Sequence, residues 1–266
     1  MTEARMQEVP EFKPGTFCWV ELGASDAAAA KDFYGQLFGW DYEDHPMGPD
    51  SVYTMLKLNG KDVGALYELM PEMKAHGVPP HWMSYIAVDS ADDAAAKAKA
   101  AGATLIKEPF DVGTNGRMAV VQDPTGAVFS LWEGKDTKGA GVCNVANTLC
   151  WNELLTNDIQ KAGDFYTNLF GWTKEQFGGD YTIFKNGDRG AGGMYQISSE
   201  MGPIPPNWMV YFAVNDCDAM AQKTADLGGS VMRAPEDIPT IGRFAILQDP
   251  QSATFAIIKP EPQPEH

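Results

Sequence analysis

Along WVELGASD (19–26) apolar side chains alternate, with Val20, Leu22 and Ala24 on one face and Trp19, Glu21 and Gly23 on the other. A period of two predicts a strand. The period then changes. Asp26 is an N-cap residue type, and Ala30, Phe33 and Leu37 recur after it at helical spacing. Gly39 suits a left-handed helix end, and Trp40 can fold back on the last turn. WMSYIAVDSADDAAAKAKAAG (82–102) reads the same way. Short strand-like runs follow each helix. After the first come SVYTMLKL and KDVGALYEL, with Asn59-Gly60 between them as a hairpin signal. After the second come TLIKEPF, GRMAVVQD and AVFSLWE, with a turn at Asp123-Pro124-Thr125-Gly126. Each quarter is strand, helix, then about three strands. Short strands with local hairpins predict mixed sheets with helices on one face, an α+β fold.

The pattern occurs twice. FYGQLFGW (33–40) returns as FYTNLFGW (165–172), and WVELGASD as WNELLTND from Trp151. PPHWMSYIAV and GRMAVVQDPTGAVFSLW return as PPNWMVYFAV from Pro205 and GRFAILQDPQSATFAII from Gly242. The order is kept, and the offset falls from 132 to 126 residues between Trp172 and Pro205. Two homologous domains are expected, at 1–135 and 144–260, with a glycine-rich, charged linker at 136–143 and a proline-rich, disordered tail at 261–266. FYGQLFGW is read as a core motif at a helix terminus and not as a ligand motif.

Composition narrows the function classes. The chain has 266 residues and a net charge of −16, which argues against a nucleic-acid partner. No apolar run approaches a membrane span, and MTEARMQEVPEFKPG has no apolar signal-peptide region, so a cytoplasmic location is expected. Cys18, Cys143, Cys150 and Cys217 lack CxxC spacing and read as small buried hydrophobes. RGAGGMY (189–195) does not join a strand to a helix, so it is a close-packed strand and not a phosphate cradle.

The strand–Asp–helix–FYxxLFGW runs and the QDPTGAVFSLW and QDPQSATFAII endings resemble the vicinal oxygen chelate superfamily of glyoxalases, bleomycin-resistance proteins and extradiol dioxygenases. Within it the chain looks most like a tandem-domain branch typified by a mycobacterial secreted antigen and by hydroxylase-labelled proteins. The resemblance implies two glyoxalase-like domains, each of two βαβββ modules, forming a curved mixed sheet around a cavity. In metal-using members the cavity holds His, Gln and Glu ligands. Those positions fall here at Trp19 and Trp151, at Met83 and Met209 (or Trp82 and Trp208 one residue earlier), and at Ser130 and Ala256. None of these suits a hard divalent cation. No cofactor is therefore predicted, although a divalent metal stays open as an alternative. Among four histidines, His45 and His76 read as loop residues, His266 lies in the tail, and His81 beside Glu21 is the one candidate ligand.

Strand parity places Trp19, Glu21, Met83, Tyr85, Ser130 and Trp132 around the first cavity. Trp151, Glu153, Met209, Tyr211, Ala256 and Ile258 line the second. Glu21 and Glu153 are candidate general bases, since desolvation raises a carboxylate's pKa. Alternatively they orient a ligand, bond a neighbouring strand, or pair with Arg117 and Arg243. The expected partner is a small apolar or aromatic metabolite, on a monomer or homodimer. A metal-free binder, an enzyme (lyase, isomerase or oxygenase) and a surface-interaction protein with collapsed cavities all remain readings. Domain 1, the more polar, is the preferred site.

Overall fold

The computed structural model describes residues 12–49 and 51–261. Domain 1 runs β1 (Phe17–Ala24), α1 (Ala27–Phe38), β2 (Asp41–Gly48), β3 (Ser51–Leu58), β4 (Lys61–Glu68) and a short α2 (Pro71–Ala75). It continues with β5 (His81–Ala87), α3 (Ala91–Ala100), β6 (Thr104–Val112), β7 (Gly116–Gln122) and β8 (Val128–Gly134). Domain 2 repeats the order as β9 (Leu149–Thr156), α4 (Ile159–Phe170), β10 (Thr173–Gln176), β11 (Tyr181–Asn186) and β12 (Arg189–Gln196). It ends with β13 (Asn207–Ala213), α5 (Cys217–Asp226), β14 (Ser230–Ile238), β15 (Gly242–Gln248) and β16 (Thr254–Pro260). Each domain is one eight-stranded sheet, ordered β2-β3-β4-β1-β5-β8-β7-β6 and β10-β11-β12-β9-β13-β16-β15-β14. Within each module the first strand pairs in parallel with the last, as β1 with β4 and β5 with β8. The first strands of the two modules meet antiparallel at the centre. This is the expected α+β architecture.

Local signals act as their chemistry dictates. Asp26 caps α1 by accepting from the Ala29 amide, and Asp158 caps α4 by accepting from the Lys161 amide. Gly39 and Gly171 close both helices at φ 73° and 71°. Gly192 is required by proximity, since a Cβ there would sit 3.0 Å from the Asn152 carbonyl oxygen. The close-packed reading of RGAGGMY therefore holds.

The core is shared between the domains. The helix-side face of β1 and the α1 residues Phe33, Tyr34, Leu37 and Phe38 pack in one cluster with Val210, Phe212, Leu247 and Phe255 of domain 2. The second cluster joins Ile86, Val121, Phe129 and Leu131 of domain 1 to Phe165, Tyr166, Phe184 and Trp208 of domain 2. Helices α1 and α5 meet, as do α3 and α4. Each long helix buries one face in these clusters and leaves the other to solvent, as Ala28, Asp32 and Gln36 of α1 show. Lysines seal the junction from each side. Lys97 on α3 donates to the Leu169 carbonyl at the end of α4, 2.9 Å away, and Lys223 on α5 does so to Leu37 at the end of α1.

FYGQLFGW is the hinge of this packing. The Tyr34 hydroxyl donates to Asp249 Oδ2 at 3.0 Å, in the QDP turn of the opposite domain, and accepts from Trp82 Nε1 at 3.1 Å. Its copy does the same in reverse, with Tyr166 donating to Asp123 Oδ2 at 2.9 Å and accepting from Trp208 Nε1 at 2.8 Å. The core reading of the motif holds, and the core it joins is the one between domains.

The segment joining the domains packs against domain 1, and the expectation of a disordered tail is corrected at its first residue, Glu261. The Ala140 amide donates to the Cys18 carbonyl at 2.8 Å, and Ala140 and Val142 are buried. At the C-terminus Lys259 and Pro260 belong to β16, and the Glu261 amide donates to the Ile241 carbonyl at 2.9 Å. The rest of the expected disordered tail, 262–266, lies outside the described residues, as do residues 1–11 and with them most of the segment read for a signal peptide. Among the described residues no helix is long and apolar enough to cross a membrane.

Candidate functional site

The faces turned away from the helices carry a second pair of clusters. In domain 1, Cys18, Trp19, Ala65, Tyr85 and Trp132 form a buried floor. Tyr53, Met55, Met83 and Met118 pack over it and stay half-buried. In domain 2, Leu155, Met209, Tyr211, Ala256 and Ile258 are buried, with Trp151, Tyr195 and Ile246 against them. The structure therefore brings Trp19, Glu21, Met83, Tyr85 and Trp132 onto one face, and Trp151, Glu153, Met209 and Tyr211 onto its counterpart. The reason is the pleat. Glu21 lies opposite Met83 and Trp19 opposite Tyr85, while Glu153 lies opposite Met209 and Trp151 opposite Tyr211.

Glu21 is half-buried, and its Oε2 accepts from the Tyr53 hydroxyl at 2.7 Å. Tyr85 lies on the same face, opposite Trp19 in the β1–β5 ladder. Domain 2 places the same residue types together with different bonds: Tyr211 donates to Glu153 Oε1 at 3.1 Å, and Trp151 Nε1 donates to the Tyr181 hydroxyl at 3.1 Å. Sequence reading missed Tyr53, which reaches Glu21, and its counterpart Tyr181, which accepts from Trp151, both on the third strand of the module. Their signal was the retained YT at 53–54 and 181–182. Glycine makes the space in domain 2, where a Cβ on Gly193 would overlap the Tyr181 hydroxyl at 1.8 Å.

Neither glutamate pairs with the expected arginine. Arg117 is held by Asp92 at 2.6 Å and Asp111 at 3.4 Å. Arg243 is held by Asp218 and Asp237, at 2.6 Å and 3.0 Å. Those acids start the adjacent helices and end the neighbouring strands, so the arginines brace the sheet rim. Arg233 alone adds positive charge near Glu153. His81 lies opposite Gly23, on the Glu21 face, with Nδ1 2.8 Å from the Pro79 carbonyl oxygen. Burial lowers its pKa. His45 is not in a loop. It sits in β2 beside Glu43. His76 caps α2. Among the described residues no three His, Cys, Asp or Glu side chains gather as a metal group.

Burial raises the pKa of Glu21 above the usual 4.5, opposed by the hydroxyls of Tyr53 and Tyr85. Glu153 is raised the same way, with Tyr181, Tyr211 and Arg233 opposing. The folded state then binds these protons more tightly than the unfolded chain. Their contribution to stability is full below about 4.5 and is lost as pH rises through the raised values. The melting temperature of the Glu21→Gln/Glu153→Gln variant, relative to wild type, should therefore climb with pH across that interval. Parallel melting profiles would contradict the shifts.

The whole-chain comparisons agree with the fold. The model of the Glyoxalase/Bleomycin resistance protein/Dioxygenase superfamily matches residues 16–131 and again 148–257. The chain belongs to that superfamily. Among relatives, it is 43% identical over 263 residues to "Putative glyoxylase CFP32" of Mycobacterium tuberculosis, covering 97% of this chain and 100% of that protein. It is 36% identical over 261 residues to the anthracycline biosynthesis protein DnrV of Streptomyces peucetius, covering 93% and 94%. The Mn(II)-bound glyoxalase from Novosphingobium aromaticivorans shares the fold, with a TM-score of 0.66 at 18% identity over 93% of this chain and 82% of that one.

Proposed function

We propose that the chain binds a small apolar or aromatic metabolite in the domain 1 cup and does so without the divalent metal of metal-using members. The observation that carries this reading is the Tyr53–Glu21 hydrogen bond on a methionine- and aromatic-lined face that also holds Trp19 and Tyr85. Aromatic floors take flat rings, and the few polar groups among them fix orientation. The donor chemistry supports the metal-free part. Trp19, Met83 and Ser130 stand where the resemblance puts ligands, and the single carboxylate is already engaged by Tyr53. A divalent cation needs several oxygen or imidazole ligands, and this set does not fit one. The naming of DnrV for anthracycline biosynthesis supports a polycyclic aromatic ligand class for this chain as well.

Two measurements test the reading. Titration with planar aromatics should quench tryptophan fluorescence saturably, and the quenching should weaken about tenfold or more in Trp19→Ala. Elemental analysis should find no stoichiometric metal. About one equivalent of Fe, Mn, Ni or Zn surviving dialysis would overturn the metal-free assignment. A second reading is favoured by the raised pKa of Glu21, in which it moves a proton between two atoms of the bound ligand as a general base. It predicts turnover that Glu21→Gln abolishes while ligand binding persists.

A further inference from the structure

The two faces are built from the same repeat and differ at buried positions such as Trp132 against Ile258 and Ser130 against Ala256. Ser130 is 0% exposed, and its Oγ is the one buried side-chain oxygen or nitrogen without a hydrogen-bond partner among the described residues. A hydroxyl removed from water and left unpaired is unfavourable. Serine ordinarily avoids this by turning to a nearby backbone carbonyl. Here it sits inside β8, where the ladder with β5 and β7 already engages the neighbouring backbone.

The direction of the side chain follows from its neighbours. Phe129 and Leu131 belong to the helix-side core, and Trp132 belongs to the cup. Ser130 therefore faces the cup, between its register partners Tyr85 and Val120. Tyr85 in turn lies opposite Trp19, on the face that carries Glu21. The half-buried residues of this face include Met55, Met83 and Met118, whose unbranched side chains re-pack readily around a ligand. In domain 2 the same position is Ala256, buried between Tyr211 and Ile246. The first floor carries an extra hydroxyl at this position, and the second has a methyl group.

We propose that Ser130 is the specificity-determining residue of the domain 1 cup, selecting an aromatic ligand that carries a hydroxyl or carbonyl oxygen. The hydroxyl can donate to a carbonyl or accept from a phenol. The ionised Glu21 carboxylate can only accept, so the two groups distinguish the ends of such a ligand. The Ala256 floor lacks that preference. This inference rests on the reading of the domain 1 cup as a ligand site.

The probes are 2-naphthol and naphthalene, titrated by calorimetry into the full chain and its Ser130→Ala variant. The wild type should hold 2-naphthol about tenfold more tightly than naphthalene, the scale of one net hydrogen bond, and Ser130→Ala should erase that preference while leaving naphthalene affinity unchanged. The variant should also melt at or above the wild-type temperature, because it removes an unpaired group. A preference that survives in Ser130→Ala, equal affinities in the wild type, or a lowered melting temperature would overturn the role of Ser130 and leave the cup reading intact. Failure of both probes to bind would instead remove the cup reading, and this inference with it.

Discussion

Asp123→Ala should destabilise the protein by about 3–5 kcal/mol in urea denaturation. The carboxylate is buried, and its Oδ1 accepts from the amides of Thr125, Gly126 and Ala127 and from the Thr125 hydroxyl, at 2.7–3.1 Å. Its Oδ2 accepts from Tyr166 of the other domain. Alanine leaves the turn unsupported and strands a tyrosine hydroxyl in an aromatic core. Asp249→Ala removes the matching set, two turn amides and Tyr34, and should behave similarly. Tyr166→Phe should cost less, about 1–2 kcal/mol, because the turn bonds survive. Both aspartate variants should unfold in one transition. A loss below about 1 kcal/mol, or a separate transition for each domain, would show that the clasp is not part of a common core.

Phe212→Ala should be about as severe, at roughly 3–5 kcal/mol. The ring is fully buried, and its centroid lies 5.1 Å from Phe38, 5.4 Å from Trp40 and 5.1 Å from Trp82. All three neighbours belong to domain 1, although Phe212 is in β13 of domain 2. Its removal opens a cavity that rigid aromatic walls cannot close. Hydrogen exchange should therefore quicken in α1 as well as in domain 2. Unchanged protection in α1 would contradict the shared core.

What could be read from the sequence was whatever is set by near neighbours. Asp26, Gly39 and the period of Ala30, Phe33 and Leu37 define α1 without reference to the rest of the chain. Asn59 and Gly60, at φ 50° and 77°, turn the β3–β4 hairpin as an Asn-Gly pair should. Strand parity sufficed to put Trp19, Glu21 and Tyr85 on one face. Pairings between distant segments were not legible. Tyr53 reaches Glu21 across β4, and no local pattern reports that. Arg117 and Arg243 looked available to the glutamates because their helix-start partners Asp92 and Asp218 come close only after folding. The duplication hid the largest feature of all. Two similar repeats suggest two self-sufficient domains, yet Tyr34 and Tyr166 each complete the other copy's turn.

That exchange partitions how the two copies can diverge. A substitution at Tyr34 must suit Asp249, and one at Tyr166 must suit Asp123, so the helix-side faces are constrained to drift together. The two clusters on the other faces are each made of residues of one copy. A change such as Ser130 against Ala256 can accumulate in one without disturbing the other. The architecture thus lets the two faces change separately on a single, jointly maintained frame.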